Sequence, residues 1–164
     1  MTSQLFTVLL LLLLTPTLCS AACASIAVRG HLMCNGQPYA REQVQVWEPK
    51  TLGAELWGDV ETDGDGNFLI YSHGYDITLI DAQALGFGFH PYVWIPNYCG
   101  SEWKDGQRCT KNLINILIPE GYIQPCQPDV QVFDMGTIHM ESERPTEFNW
   151  WQRILGQHYQ CKKH

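Results

Sequence analysis

The sequence predicts an all-β protein, an antiparallel β-sandwich or barrel that carries a short helical tail at its C-terminus. Three observations support this prediction: apolar and polar residues alternate in several short segments, Gly and Pro punctuate the connections, and the cysteines are even in number after a leader-like N-terminus. Alternation at every second residue is typical of strands with one buried face. Short strands separated by turns are typical of sandwiches and barrels. The 164 residues suffice for one such domain.

The alternation is clearest near residue 30. Ile26, Val28 and Leu32 fall on one face of a predicted first strand, whereas Arg29 and His31 fall on the other. Because one face is apolar, we expect it to contact the core. Similar patterns or apolar runs predict further strands at 43–47, 58–61, 68–71, 92–95, 113–118 and 130–140, the last bent at its glycine, residue 136.

The segment Asp63-Gly64-Asp65-Gly66-Asn67 joins two of these strands and is rich in turn-forming residues. Glycine adopts positive φ readily, and Asp bonds its own backbone, so a hairpin turn is predicted. The spacing of Asp63, Asp65 and Asn67 also resembles a calcium loop, although the flanking helices and the distal Glu of an EF-hand are missing. The sequence therefore leaves a solvated turn and a weak calcium site open.

Residues 1–22 have the layout of a secretory signal peptide. An apolar run around 9–14 ends at Pro16, and Ser20-Ala21-Ala22 supplies small residues for cleavage. The rival is a membrane anchor, but the run is shorter than the ~20 apolar residues that a spanning helix needs. We therefore predict a secreted, extracellular protein without a transmembrane segment. Its β-sandwich body comprises residues 23–140, and a C-terminal extension comprises residues 141–164.

Cleavage at that point leaves an even set of cysteines. Even numbers of cysteines in an oxidising compartment predict disulfides rather than free thiols. The absence of a Cys-x-x-Cys pair argues against a zinc site. The sequence thus predicts three bridges of unassigned connectivity among Cys23, Cys34, Cys99, Cys109, Cys126 and Cys161.

The formal net charge of −7 bears on the partner. An acidic chain without a basic stripe would repel a phosphate backbone, so nucleic acid is not an expected partner. The histidines form no metal-binding pattern, and no Gly-x-Ser-x-Gly motif or acid–base pair is evident. We therefore expect no metal, no cofactor and no catalytic residue.

Tryptophans are the candidate binding residues. Trp47 alternates away from Val44 and Val46, so we expect its ring to be exposed. Trp150 and Trp151 belong to a segment with helical spacing, which Cys161 would tie down. This tail is either a short helix that packs against the sandwich or an amphipathic patch that meets a membrane or a protein partner.

Six segments, in order, resemble the nematode transthyretin-like family. They are GHLMCNGQP from residue 30, VQVWE from 44, TDGDGNF from 62, PYVWI from 91 with the following cysteine, IPEGYI from 118 and DMGTI from 134. Asn97 stands where the family pattern has His. The resemblance implies a secreted sandwich of seven or eight strands, similar to the transthyretin and immunoglobulin-like folds. It also implies a protein without enzymatic chemistry that binds an extracellular protein, a lipid or a small hydrophobic ligand.

The same resemblance implies a disulfide pairing. In the implied topology the strand that ends near residue 95 and the strand that begins near residue 113 are antiparallel neighbours, which pairs Cys99 with Cys109. The first strand lies parallel beside the strand that begins near residue 113, which pairs Cys34 with Cys126. Cys23 and Cys161 would then join the termini. Two alternatives to a binding role remain. A hydroxyisourate hydrolase shares the fold, but its terminal Tyr-Arg-Gly-Ser motif is missing here. A structural matrix protein would need crosslinking repeats, which the sequence lacks.

Overall fold

The computed structural model describes residues 21–50, 53–77, 88–110, 112–142 and 161–163. These residues form strands and one short 3₁₀ helix. The strands are β1 (Ala21–Cys34), β2 (Gln37–Pro38), β3 (Gln43–Lys50), β4 (Gly53–Glu61), β5 (Asn67–Ile77), β6 (Tyr92–Asn97), β7 (Gln107–Cys109), β8 (Asn112–Leu117), β9 (Gln124–Pro125), β10 (Val132–His139) and β11 (Cys161–Lys163); the helix is Glu120–Tyr122.

The first sheet is built around β1. One side of β1 pairs antiparallel with β5 and then with the short β2, and the other side pairs antiparallel with β9 and parallel with β10. The register of β1 against β10 shifts at Gly136, where φ is +65°. This bulge confirms the predicted bend, since glycine accepts positive φ without a Cβ clash.

The second sheet has the order β4-β3-β6-β8, and each neighbouring pair is antiparallel. The two sheets enclose the hydrophobic core, so the predicted sandwich is confirmed. The predicted inner face of β1 is buried, and Arg29 and His31 lie outside the core. Buried core residues on the strands of the two sheets include Ile26, Val28, Leu32, Phe68, Ile70, Ile138, Val44, Val46, Val93, Ile95 and Ile114, and Tyr98 and Met140 follow directly after β6 and β10.

The second sheet is also covered on its outer face. Val93 and Ile95 on β6 face the core, so Tyr92 and Trp94 face outward, yet both are buried. Gln45 on β3 and Asn115 on β8 are buried on the same outer face. Simple alternation therefore underestimates the burial of β6, whose six residues are all buried.

The six predicted cysteines form three disulfides, but all three implied pairs are wrong. The structure pairs Cys23 with Cys126, Cys34 with Cys99, and Cys109 with Cys161, at Cα–Cα distances of 5.4, 5.7 and 4.0 Å.

The topology explains the correction, because β1 lies beside β9 and β10 and not beside β8. Pairing of Ala24 with Pro125 brings the neighbouring Cys23 to Cys126. The ends of β1 and β6 meet across the sandwich, where Cys34 reaches Cys99. Strand neighbours that are distant in sequence thus decide the pairing.

A small ribbon attaches the end of the chain. β11, within the predicted C-terminal extension, pairs antiparallel with β7, and Cys161 lies opposite Cys109. The Nζ of Lys162 donates to Oε2 of the buried Glu42 at 2.5 Å and lies 4.7 Å from the centre of the Tyr98 ring. The predicted tail helix, with Trp150 and Trp151, lies outside the described residues, as do the first 20 residues of the predicted signal peptide.

Candidate functional site

An open groove of about 560 Å³ lies on the outer side of the first sheet, near the turn that leads into β5. Its wall on β10 contains Asp134 and Thr137, its floor contains Arg29 and His31 of β1, and Leu69 closes it on β5. Adjacent strands supply these side chains because alternate residues of each strand face the same way.

Arg29 and Asp134 form an ion pair across the β1–β10 ladder. Nε and Nη2 of Arg29 lie 2.9 and 2.8 Å from Oδ2 of Asp134, and both side chains are at least half exposed. The N–H of Gly136 donates to Oδ1 at 2.9 Å. That backbone hydrogen bond, followed by the one from Arg29, lowers the pKa of Asp134 below its ordinary value.

His31 links the groove to the turn. Its Nδ1 lies 3.3 Å from Oγ1 of Thr137, and its Nε2 lies 3.0 Å from the carbonyl oxygen of Asp65. A carbonyl only accepts, so Nε2 carries the proton in this bond, and Nδ1 faces the hydroxyl of Thr137, which is both a donor and an acceptor. His31 therefore joins β10 to the turn before β5.

In the Asp63–Asn67 turn, the carboxylate of Asp63 accepts hydrogen bonds from the backbone of the same turn. Oδ1 of Asp63 accepts from the backbone N–H groups of Asp65 at 3.0 Å and of Asn67 at 2.7 Å. The Asn67 bond is the main cause of a lowered Asp63 pKa. This geometry corresponds to the predicted hairpin turn, in which Asp63 stabilises the loop by hydrogen bonds to N–H groups.

Beside the groove, β5 presents a row of exposed apolar and aromatic side chains. Leu69 is 46% exposed, Tyr71 is 64% exposed and Tyr75 is 56% exposed. His73 lies between the tyrosines, and its ring meets that of Tyr75 edge-on at 5.6 Å. We call Leu69, Tyr71, His73 and Tyr75 the β5 row. Tyrosine is enriched at protein interfaces, where a large ring and a hydroxyl are both useful.

The sequence-based choice of binding residues missed this row. The segment 68–71 is apolar at consecutive positions, so alternation could not show which face is exposed. Trp47 is half-buried instead, and its Nε1 donates to Oε1 of Gln45 at 2.9 Å, which corrects the prediction of an exposed ring. Within residues 21–142, gaps excepted, and 161–163, no three His, Cys, Asp or Glu side chains converge as a metal site.

A sequence model of the transthyretin-like family, designated TTR-52, matches residues 29–119, more than half of the chain. The chain belongs to the transthyretin-like family. The matched region runs from Arg29 in β1, across both sheets, to the end of the β8 segment. It includes the groove residues on β1, the turn and the whole of β5.

Three members of the transthyretin-like family from Caenorhabditis elegans are similar to this chain. Transthyretin-like protein 5 is 29% identical and covers 75% of this chain and 81% of its own length. Transthyretin-like protein 46 is 30% identical, and the alignment covers 72% of this chain and 60% of that protein. Transthyretin-like protein 33 is 27% identical, and the alignment covers 75% of this chain and 78% of that protein.

Among solved structures, a 9R-lipoxygenase from Cyanothece aligns at 19% identity with a TM-score of 0.36. The alignment covers 77% of this chain and 17% of the lipoxygenase. A likeness at that level carries no argument about function. In the described part of the chain, no helix has the length and apolar character needed to cross a membrane.

Asn97 has a structural role at the position where the transthyretin-like pattern has His. Its Nδ2 donates to the carbonyl oxygen of Met140 at 2.8 Å, and its Oδ1 accepts from the N–H of Cys99 at 2.9 Å. Because Asn97 is buried, these bonds satisfy both ends of its amide. Asn97 thus fixes the end of β6 beside the residue that follows β10.

Proposed function

We propose that this transthyretin-like protein is secreted and acts as a non-catalytic binding protein that recognises an extracellular protein, a lipid or a small hydrophobic ligand at a cell surface. The observation that carries the proposal is the exposed β5 row beside the groove. Monomeric proteins rarely expose contiguous apolar surface without a use for it.

The arrangement of the first sheet supports a binding role. Ser25 and Ala27 lie on the outer face of β1 and are small, so the larger side chains of β5 stand above them. In the groove, Asp134 neutralises the charge of Arg29. The polar groups of this ion pair lie near the exposed side chains of β5 and are available for hydrogen bonds. A surface that combines rings with ordered polar groups suits specific recognition.

The cysteines support extracellular residence. Three disulfides in a small domain suit an oxidising compartment, where glutathione and thioredoxin do not reduce them. The signal peptide predicted at residues 1–22 supports the same proposal. Mass spectrometry of the protein purified from culture medium would test it, with a mature N-terminus at Cys23 expected.

The hydrogen bonds that the polar groups of the groove already make support the non-catalytic part of the proposal. His31 pairs with Thr137, which superficially resembles a base beside a nucleophile. However, Nε2 of His31 already bonds Asp65, and the neighbouring N–H of Gly136 already bonds Asp134. Hydrolysis needs a free donor for the developing oxyanion. A hydroxyisourate hydrolysis assay on the purified protein should therefore give only the uncatalysed rate.

Binding to intact cells tests the role of the β5 row. We expect the Tyr71→Ser/Tyr75→Ser double variant to lose most of the cell-surface binding that the wild-type protein shows. Leu117→Ser is the matched control, because Leu117 is 44% exposed on the second sheet. Equal binding by wild type and the tyrosine variant, with both folded by circular dichroism, would reject the β5 row as the binding surface.

The tail is the second proposed contact. Trp150 and Trp151 remain proposed binding residues, as does Trp47 in a smaller role because its ring is half-buried. A Trp150→Ala/Trp151→Ala variant in the same cell assay separates the tail from the sheet. Retained binding in this variant would remove the tail from the proposal and leave the sheet.

A further inference from the structure

β5 is an edge strand whose orientation is fixed by hydrogen bonds at its first residue. The backbone N–H and C=O of Asn67 both bond Asp63, on the side away from β1. The preceding carbonyl of Gly66 instead accepts from the N–H of Leu32 on β1. Successive residues of a strand direct their backbone groups to opposite sides. Every second residue from Asn67 onward therefore directs its N–H and C=O away from the first sheet.

Those residues are the β5 row. Within the described part of the chain, no backbone hydrogen bond joins Leu69, Tyr71, His73 or Tyr75 to a strand on that side. Their side chains cover the outer face, and their peptide groups form an open edge. Such an edge is a template for pairing with another extended chain.

β5 also lacks most of the features by which proteins protect exposed edges. Charged side chains (Lys above all), proline and bulges are the usual protection. The 11 residues of β5 contain no Lys, Arg or Pro, and their one carboxylate, Asp76, stands next to the last residue of the strand. The register of β5 against β1 runs without a shift. The opposite edge strand, β10, has the bulge at Gly136 and the charged Asp134. Among the residues that the structure describes, the two edges of the first sheet therefore differ: β10 has a bulge, whereas β5 is open and regular.

The core holds β5 in a fixed position. The indole of Trp57 lies against Gly74, and the Oγ of Ser72 would lie 2.7 Å from a Cβ built on Gly58. Both contacts need glycine, since a side chain at either position would overlap its neighbour. A preorganised edge loses little conformational entropy when a partner binds.

The charge near the start of β5 indicates what kind of chain would pair there. The groove contains Arg29 against the carboxylates of Glu61, Asp63 and Asp134, which is one positive charge against three negative charges. The whole chain carries −7. A second copy would bring like charges together, whereas a basic segment would be attracted.

We propose that the open edge of β5 accepts an extended, lysine- or arginine-bearing segment of a partner protein as an added strand. Backbone hydrogen bonds to the β5 row hold the segment, and its basic side chains reach Glu61 and Asp63, the carboxylates near the start of β5. The proposal rests on the proposed function, for which it names the partner as an extended polypeptide.

A synthetic peptide of alternating lysine and valine, about ten residues long, is a suitable probe for strand addition. We expect it to bind the wild-type protein. Its affinity for the Tyr71→Pro variant should be lower by a factor of about 10 or more, because proline lacks the N–H that points to the edge. Tyr71→Ala keeps that N–H and should bind more tightly than Tyr71→Pro. Thermal unfolding of each variant verifies that it is folded.

Two peptide variants test the mechanism without changing the protein. N-methylation of every second residue removes the donors along one side of the lysine–valine peptide, so the peptide methylated on the pairing side should not bind. A glutamate–valine peptide should also fail, and Glu61→Gln should weaken binding of the lysine–valine peptide. Equal binding of the methylated and unmethylated peptides would overturn strand addition.

The remaining outcomes distinguish this inference from the proposed function. If the lysine–valine peptide does not bind while the Tyr71→Ser/Tyr75→Ser variant still loses cell-surface binding, the binding surface stands and strand addition fails. If wild-type protein dimerises in sedimentation and Tyr71→Pro does not, a second copy occupies the edge and the proposed partner is wrong. If cell binding survives the tyrosine variant, the side chains of the β5 row are rejected as the binding surface of the proposed function, whatever the peptide does.

Discussion

The indole of Trp57 on β4 lies directly against the backbone of Gly74 on β5, where no other residue leaves enough room. The ring also meets Phe89 edge-on, with centroids 5.4 Å apart. β4 and β5 belong to different sheets and are not paired by backbone hydrogen bonds. This side-chain contact therefore fixes the position of the strand to which we assign binding.

Gly74→Ala should destabilise the protein. The added Cβ would overlap the Trp57 ring, and overpacking of a well-packed core costs about 1–3 kcal/mol. Gly121→Ala is the control, because a Cβ there meets nothing within 4 Å. Urea unfolding followed by tryptophan fluorescence measures both. A Gly74→Ala protein as stable as Gly121→Ala would contradict the packing described here.

Non-reducing peptide mapping should recover the disulfides Cys23–Cys126, Cys34–Cys99 and Cys109–Cys161. Recovery of Cys99 linked to Cys109 would instead favour the pairing implied by the family resemblance. The bridges should also differ in effect. Replacing Cys34 and Cys99 together by Ser should cost about 4 kcal/mol by the chain-entropy relation, because this bridge spans a sequence separation of 65.

The matched Cys109→Ser/Cys161→Ser variant should unfold locally, unlike the Cys34→Ser/Cys99→Ser variant. Its bridge joins only β7 and β11, so its loss should release that ribbon before the sandwich unfolds. Faster amide exchange at Arg108 and Lys162, with little change in the core, is the expected signature. A simultaneous loss of protection in β1 and β6 would show that the ribbon and sandwich unfold as one unit.

Local patterns predicted the strands well where one face meets water. Ile26, Val28 and Leu32 alternate with Arg29 and His31, and the structure buries the first set and leaves the second outside the core. The turn at Asp63 was equally readable, because its residues make their own hydrogen bonds. In both cases the deciding interactions are close in sequence.

The prediction failed where distant segments decide the outcome. Cys23 meets Cys126 because β1 pairs with β9 rather than with β8, and no local pattern encodes that choice. Trp94 is fully buried although it alternates with core residues, because both faces of its sheet are covered. The exposed Tyr71 was missed because apolar residues precede it on both faces of β5.

Asp134 should make the protein sensitive to acid. Its folded-state pKa lies below the ordinary 3.8, chiefly because Gly136 donates to it and also because of Arg29. A lowered pKa contributes stability above pH 3.8 that is lost as pH falls through the folded-state pKa. Asp134→Asn should thus lower the melting temperature near neutral pH, and the difference should vanish in strong acid. A difference that is constant with pH would contradict this assignment.

Lys162 should matter more as pH rises. Burial raises the pKa of Glu42, and the hydrogen bond from Lys162 opposes that rise. Because the Glu42 pKa is raised on folding, its contribution to the free energy of unfolding is fully present below pH 4.5, the ordinary pKa. That contribution is lost as pH rises through the folded-state pKa. Lys162→Met should raise the Glu42 pKa further and cost about 1 kcal/mol near pH 7, after discount for the exposure of Lys162.

The matched control for this pair is Lys163→Met, which removes the same charge from the next residue of β11 without removing a bond to Glu42. Thermal unfolding between pH 4 and pH 8 compares the two variants. The cost of Lys162→Met should grow with pH, and that of Lys163→Met should stay small. Parallel curves for the two variants would show that the Glu42–Lys162 contact contributes nothing specific.

Residue-resolved amide hydrogen exchange along β5 tests the open binding edge most directly. We predict that the amides of Leu69, Tyr71, His73 and Tyr75 exchange fast in the free protein, while those of Phe68 and Ile70, which face β1, are protected. The lysine–valine peptide should then slow the first set selectively. Protection of all these amides before any peptide is added, or no change on its addition, would contradict the account.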